Sequence, residues 1–191
     1  MHVKPRENSP AAVYLGRYRD ILSEMIAGMC GAELSDSISQ SFIAQMIPHH
    51  RAAIEMSENV LKYTRVKPLR EIAENIISEQ TKSISDMEAI LKGCSEKVNS
   101  RQEVSEYRKN TDKIIETMFS EMKKAYSDCR ISCDFMREMI PHHMGAVRMS
   151  KNALEFPICG ELVPILEAII SSQEKGICQM KCLLKCLSCK K

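Results

Sequence analysis

The chain has 191 residues, with 27 basic and 25 acidic side chains and a formal net charge of +2 at pH 7. The charge is nearly balanced and the basic residues are spread along the chain, so the sequence does not predict binding to nucleic acid or to an acidic surface. Tryptophan is absent and aromatic residues are scarce, which also argues against a base-stacking surface. No apolar run approaches the roughly 18 residues that span a membrane.

Residues 1–10 lack the apolar segment of a secretory signal. Nine cysteines without such a signal favour free or metal-bound thiols in a reducing intracellular compartment. A signal that had been removed would leave the same sequence, so the compartment stays open.

The apolar residues recur with helical spacing throughout, and no alternating run predicts a strand. Three helices are predicted in the first half, over residues 11–29, 36–63 and 67–92. Pro68 occupies a first-turn position and Gly93 a stop position. The polar residues 93–101 are predicted to be a linker. Three further helices are predicted over residues 102–126, 132–155 and 160–187.

The two halves repeat one another without a gap. The segment Phe42–His50 returns as Phe135–His143, with Met-Ile-Pro-His-His in both copies. The match extends on both sides: Ile21, Met25, Met29, Ala53, Met56, Ser57, Asn59, Ile77, Gln80, Lys82, Ile84 and Met87 return as Ile114, Met118, Met122, Ala146, Met149, Ser150, Asn152, Ile170, Gln173, Lys175, Ile177 and Met180. Most charged residues differ, so the duplication retains apolar residues and soft metal donors.

The repeat predicts an all-α fold in which the second and third helices of each copy form an antiparallel hairpin. Two hairpins can bury their apolar stripes against one another as a four-helix bundle with pseudo-twofold symmetry. The first helix of each copy then packs outside or caps an end. Because one three-helix half would have a marginal core, we expect a single domain over residues 1–191, with repeats at 11–92 and 102–187.

One stripe of the second helix carries several potential metal donors. Met46, His49 and His50 are spaced to share a helix face, and Met56 lies two turns after His49. The third helix adds Gln80. The full predicted set is Met46, His49, His50, Met56, Gln80 and Met87 in the first copy and Met139, His142, His143, Met149, Gln173 and Met180 in the second. A single methionine is typical of core packing and a single histidine of a core or surface position, but the recurrence of the whole pattern favours metal binding.

The softness of the donor atoms narrows the choice of metal. Thioethers select Cu(I), whereas imidazole also serves Cu(II), zinc and nickel. Copper as Cu(I) is favoured, and zinc or another transition metal is the alternative. The proline before each histidine pair, Pro48 or Pro141, either kinks the helix to aim the histidines inward or starts a new helix.

These residues suggest sequestration, storage or transfer of copper, with a metal donor or acceptor protein as a partner. A di-iron oxidase would need inward Glu-x-x-His pairs, which are missing. No carboxylate base or nucleophile triad is spaced for catalysis, which favours a non-catalytic protein. A metal-dependent oxidoreductase and a metal-free helical scaffold are the two alternatives. The sequence leaves open whether the chain forms a homo-oligomer.

The repeated pattern, with Phe, Met-Ile-Pro-His-His, a following Ala and Met and a later Gln and Met, resembles the DUF305 family. This ferritin-like four-helix-bundle family has no assigned function, and its members include bacterial copper-binding and copper-resistance proteins. The resemblance covers residues 36–91 and 129–184 and implies a bundle that binds copper through the His/Met set above. Two features depart from the family: its members are usually exported, and the acidic residue that often follows the late glutamine by three positions is Ser83 in one copy and Gly176 in the other.

The cysteines do not follow the repeat. Cys178, Cys182, Cys186 and Cys189 lie on one stripe of the last helix and form a candidate second, thiol-based metal site. Thiolates at this spacing can bind Cu(I), zinc or an iron–sulfur cluster. Disulfide formation and simple burial are the other interpretations.

Overall fold

The computed structural model describes residues 6–125 and 127–188. Tyr126, the predicted end of the fourth helix, and Cys189 lie outside the described residues. The described chain forms six α-helices: α1 Pro10–Cys30, α2 Ile38–Leu61, α3 Lys67–Ser95, α4 Arg101–Lys123, α5 Ile131–Leu154 and α6 Leu162–Cys186. It contains no strand, which confirms the predicted all-α class. None of its helices is long and apolar enough to cross a membrane.

Three helices begin at serine side chains that bind backbone N–H groups. Ser9 and Ser37 cap α1 and α2, and Ser100 forms a capping box with Glu103 at the start of α4. Each such cap satisfies an N–H group that lacks a partner within its helix. Removal of one cap typically costs about 1 kcal/mol.

The end of α3 differs from the prediction. The helix continues through Gly93 to Ser95, so the segment that joins the halves is shorter than the predicted linker at 93–101. The hydroxyl of Ser37 donates a hydrogen bond of 3.0 Å to the carbonyl of Cys94, and Cys94 is in a disulfide with Cys159. These two contacts hold the last turn of α3 in place. The sixth helix begins slightly later than predicted, at Leu162.

The inner layer of the fold consists of α2, α3, α5 and α6. The hairpin partners α2 and α3 pack together, as do α5 and α6, and the halves meet along α2–α5 and α3–α6. Outside this layer, α1 packs on α2 and α4 packs on α5. This is the predicted bundle of two hairpins with one extra helix per repeat.

The second and fifth helices are continuous through Pro48 and Pro141, so the interpretation in which each proline starts a new helix is wrong. Pro48 cannot donate a backbone hydrogen bond to Ala44. At this point α1 approaches closely, because a Cβ placed on Gly28 would lie 2.8 Å from the Cβ of Pro48. A larger residue at position 28 would therefore push α1 away from α2.

Equivalent contacts recur in both halves. The side-chain amide of Asn59 donates to the carbonyl of Tyr14 at 3.1 Å, and that of Asn152 donates to the carbonyl of Tyr107 at 3.4 Å. Each bond ties an outer helix to the inner helix of the same repeat. The pseudo-twofold relation therefore extends from the sequence to the packing.

Candidate metal centre

Two of the predicted histidines meet where α2 crosses α5. The Nε2 of His49 lies 3.2 Å from the carbonyl oxygen of His142, and the Nε2 of His142 lies 3.1 Å from the carbonyl oxygen of His49. Their ring centroids are 3.7 Å apart. A carbonyl oxygen can only accept, so each Nε2 carries the proton and each neutral ring has its lone pair on Nδ1. Both Nδ1 atoms are buried without a hydrogen-bond partner.

The other two histidines face the third helix of their own repeat. The Nε2 of His50 lies 3.1 Å from the hydroxyl of Ser83 in α3. In the second repeat Gly176 of α6 takes the position of Ser83, and a Cβ there would lie 3.0 Å from Cδ2 of His143. The Nδ1 atoms of His50 and His143 are also buried without a partner. His50 and His143 therefore occupy equivalent positions in the two repeats but have different neighbours.

All four imidazoles are held in the neutral form. Burial lowers the pKa of His49 to about 4 and that of His143 to about 3, with the nearby His49 lowering the latter further. Burial followed by the neighbouring histidines brings the pKa of His50 and His142 well below its ordinary value. Neutral imidazole is the form that binds metal ions. Because an unpartnered buried polar atom costs about 1–3 kcal/mol, four such Nδ1 atoms fit metal ligands better than passive core groups.

The predicted methionines are buried in the core shared by the inner helices. These are Met46, Met56, Met87, Met139, Met149 and Met180. Their thioethers are shielded from water, as both core packing and Cu(I) binding require. Gln80 and Gln173 are buried as well, and both amide atoms of Gln80 lack partners, as does Oε1 of Gln173.

Within residues 6–125 and 127–188, no three His, Cys, Asp or Glu side chains form a group that could hold a metal ion. A centre in this part of the chain would therefore combine imidazole with thioether or amide donors. In such a set the thioether is a soft donor, imidazole serves several transition metals, and an amide oxygen is a hard donor.

The candidate thiol site is only partly described. Cys178, Cys182 and Cys186 are exposed along α6, and the fourth predicted member, Cys189, lies outside the described residues. Cys182 and Cys186 line a cavity of about 340 Å³ together with Glu71 of α3. The described part of this stripe therefore lies on the outer surface, whereas the four histidines are buried.

Other cysteines are oxidised. Cys94 and Cys159 form a disulfide that joins the end of α3 to the segment before α6, and Cys133 is also disulfide-bonded. The expectation of free or metal-bound thiols is wrong for these three residues. The Cys94–Cys159 pair does not follow the repeat, since these two residues are separated by 65 positions.

The sequence prediction omitted a buried carboxyl group next to Met139. The hydroxyl of Tyr14 donates a 2.6 Å hydrogen bond to Oε2 of Glu138, and burial raises the pKa of Glu138 to about 8. The first repeat has Gln45 at the corresponding position, with its Oε1 buried and unpartnered. Comparison of the two copies could have identified this Gln/Glu difference, but not the contact with Tyr14 of the opposite repeat.

The chain resembles known proteins in both sequence and fold. The family model for a domain of unknown function, DUF305, matches residues 39–184. A structure described as CopM in the Ag-bound form, obtained by soaking, is 29% identical with a TM-score of 0.57 and covers 77% of this chain and 94% of its own. A DUF305 fragment from Deinococcus radiodurans is 22% identical with a TM-score of 0.57 and covers 78% of this chain and 95% of its own. Among curated proteins, none matches the sequence.

Proposed function

The chain belongs to the DUF305 family, and from that premise we propose that it binds copper, as Cu(I), without catalysing a reaction. The metal is cargo, which the protein sequesters, stores or transfers. The histidines of Met-Ile-Pro-His-His in each repeat provide the nitrogen donors, and buried methionines of the inner helices provide the thioethers.

The observation that carries the proposal is the state of the four histidines. Each is buried and neutral, and each keeps an Nδ1 atom without a partner. A protein core ordinarily satisfies such atoms. Four exceptions at equivalent positions of two repeats point to an external ligand for those nitrogen atoms.

The likeness to CopM supports a soft monovalent metal. The Ag-bound form of that protein was obtained by soaking, and Ag(I), like Cu(I), prefers soft donors such as thioethers. In this chain the proposed sulfur ligands are Met46, Met56 and Met87 with Met139, Met149 and Met180. Gln80 and Gln173, which are also buried, supply amide oxygens.

The surroundings of the proposed donors suit a protein that binds and retains a metal ion. The proposed donors lie on four packed helices, so their positions are set by the core rather than by loops. Burial keeps water from the metal, and neutral ligands leave its single positive charge unchanged. A metal donor or acceptor protein would exchange copper with this centre, and Cys178, Cys182, Cys186 and Cys189 are proposed as a separate thiol site for that exchange.

An anaerobic Cu(I) titration against a competing chelator tests the proposal. The protein is first treated with iodoacetamide, so that exposed thiols do not bind the metal. We expect tight binding by the wild-type chain and its loss in a variant with His49, His50, His142 and His143 replaced by Gln. Retention of copper by that variant, with its helix content unchanged, would contradict the assignment.

The thioethers are tested by a matched pair of double variants. Met46→Leu with Met139→Leu removes two proposed ligands while it nearly conserves volume. Met25→Leu with Met118→Leu makes the same change in the outer helices α1 and α4. We expect only the first pair to weaken Cu(I) binding, and an equal loss in both would contradict the chosen sulfur ligands.

A further inference from the structure

A cavity of about 220 Å³ lies between α3 and α6 and reaches His50 of α2. Most of its lining comes from one face of each of the two helices. These residues are Glu79, Gln80, Lys82, Ser83 and Asp86 of α3 and Ile165, Ala168, Ile169, Ser172 and Gln173 of α6. The cavity therefore connects the outer surface of the bundle with one of the four buried histidines.

Three of the residues that line the cavity, Gln80, Gln173 and His50, carry buried polar atoms without partners. The side chains of Gln80 and Gln173 are only 2% and 3% exposed, and the amide of Gln80 has neither a donor nor an acceptor bonded to it. His50 is fully buried, with Nδ1 unpartnered. Because buried polar groups are normally satisfied, the occupant of the cavity is expected to bind to them. Amide oxygens and an imidazole nitrogen accept a cation or its hydration water.

The outer rim is acidic. Glu79 is exposed and Asp86 is half-buried, while Lys82 pairs with Asp86 and offsets one of the two charges. A cleft with a net negative rim raises the local concentration of cations and speeds their association. The rim and the buried polar atoms thus favour the same class of ligand.

The second repeat lacks this rim. Ser172 and Gln179 occupy the positions that correspond to Glu79 and Asp86, although Gln173 and Lys175 match Gln80 and Lys82. His50, and not His143, lines the cavity. The buried glutamine is therefore present in both copies, whereas the two acidic residues are present only in the first.

We propose that this cavity is the access port through which the soft monovalent metal ion reaches the buried centre, with His50 as its first nitrogen ligand. The inference rests on the proposed copper function. Glu79 and Asp86 attract the cation, and the amide oxygens of Gln80 and Gln173 replace part of its water before it reaches the imidazole. Loading therefore proceeds through the first repeat.

The port is tested by separating the rate of metal uptake from its affinity. Ag(I), added as the free ion, is the probe, and its uptake by the thiol-alkylated wild-type protein is followed by stopped-flow ultraviolet absorbance at low ionic strength. We expect Glu79→Gln with Asp86→Asn to slow uptake by about three- to tenfold, and added salt to reduce that difference. The equilibrium affinity for Ag(I) should stay unchanged, because neither carboxylate is a final ligand.

A control variant has the same change in charge on the same helix. Glu74 and Glu88 are exposed residues of α3 that do not line the cavity. Glu74→Gln with Glu88→Gln should leave the uptake rate near that of the wild-type chain. Ala168→Trp, which fills the cavity from α6, should slow uptake at every salt concentration.

Three results would overturn the port. One is an uptake rate that neither the rim variant nor Ala168→Trp changes. Another is equal slowing by the rim and control variants, which would assign the effect to overall charge. The third is a loss of affinity in the rim variant, which would make the carboxylates ligands. If the wild-type chain binds neither Ag(I) nor Cu(I), the proposed function fails and the port fails with it.

Discussion

His49 and His142 exchange hydrogen bonds across the interface of α2 and α5, each ring donating to the backbone carbonyl of the other at 3.1–3.2 Å. The two bonds are equivalent under the symmetry of the repeats, so the pseudo-twofold axis passes between these residues. Their Nδ1 atoms are left without partners. The same contact thus joins the halves of the bundle and directs the free nitrogen of each ring away from it.

The unfolding free energy of the metal-free protein should fall as the pH is lowered from about 6.5 to about 4. The folded-state pKa of His49 is about 4 against an ordinary value of 6.5, so in this range the unfolded chain binds a proton that the folded chain does not. Each such histidine contributes a slope of up to about 1.4 kcal/mol per pH unit. This stability is complete above pH 6.5 and is lost at lower pH. Urea unfolding at closely spaced pH values measures it, and constant stability over the range would contradict neutral histidines.

Glu138→Gln should stabilise the protein increasingly as the pH rises from about 4.5 to about 8. Its folded-state pKa is raised to about 8 by burial, so the folded chain retains a proton that the unfolded chain has released. The free energy of unfolding of the wild-type protein therefore falls through this range, and Glu138 lowers it no further at higher pH. Gln is the residue of the first repeat at this position and can still accept the bond from Tyr14. A difference between variant and wild type that does not depend on pH would contradict the raised pKa.

Gly28→Ala should destabilise the protein by about 1–3 kcal/mol, the usual effect of overpacking a close contact. A Cβ at this position would lie 2.8 Å from the Cβ of Pro48, so α1 or α2 must shift. Gly16 provides the control, because it lies in the same helix and a Cβ there meets no atom within 4 Å. Gly16→Ala should stabilise by about 0.5–1 kcal/mol through helix propensity. Thermal unfolding compares them, and the same sign of change in both would contradict the close packing at Pro48.

Ser83→Ala should destabilise the protein by about 1 kcal/mol, since it removes the hydrogen-bond partner of the buried His50. Ser78 lies on the exposed side of the same helix, and Ser78→Ala should change stability by less than about 0.5 kcal/mol. Denaturant unfolding at pH 7 measures both. If the two substitutions had equal effects, the bond between Ser83 and His50 would not contribute to stability.

The helices and their pairing follow from local sequence patterns. The apolar spacing and the repeat predict the two hairpins and the outer helices, because both signals recur within a few turns. The end of α3 was missed, since the groups that hold it, Ser37 and Cys159, are distant in sequence from Cys94. A glycine at position 93 is a local stop signal that these tertiary contacts override.

The candidate metal centre, like the fold, can be predicted only in part from the sequence. The sequence identifies the four histidines by their recurrence, because a repeated donor pattern needs no tertiary information. It does not show that His49 contacts His142, since that depends on where the symmetry axis crosses α2. In the sequence, Ser83 and Gly176 simply stand where the family often has an acidic residue. In the structure the hydroxyl of Ser83 binds His50, and Gly176 lets α6 approach His143.

The most direct test of the copper account is X-ray absorption at the copper edge of the thiol-alkylated protein loaded anaerobically with Cu(I). The account predicts a first shell that contains both imidazole nitrogen and thioether sulfur, and no copper retained when the four histidines are replaced by Gln. A shell of sulfur alone, or a spectrum that the histidine substitutions do not change, would contradict it.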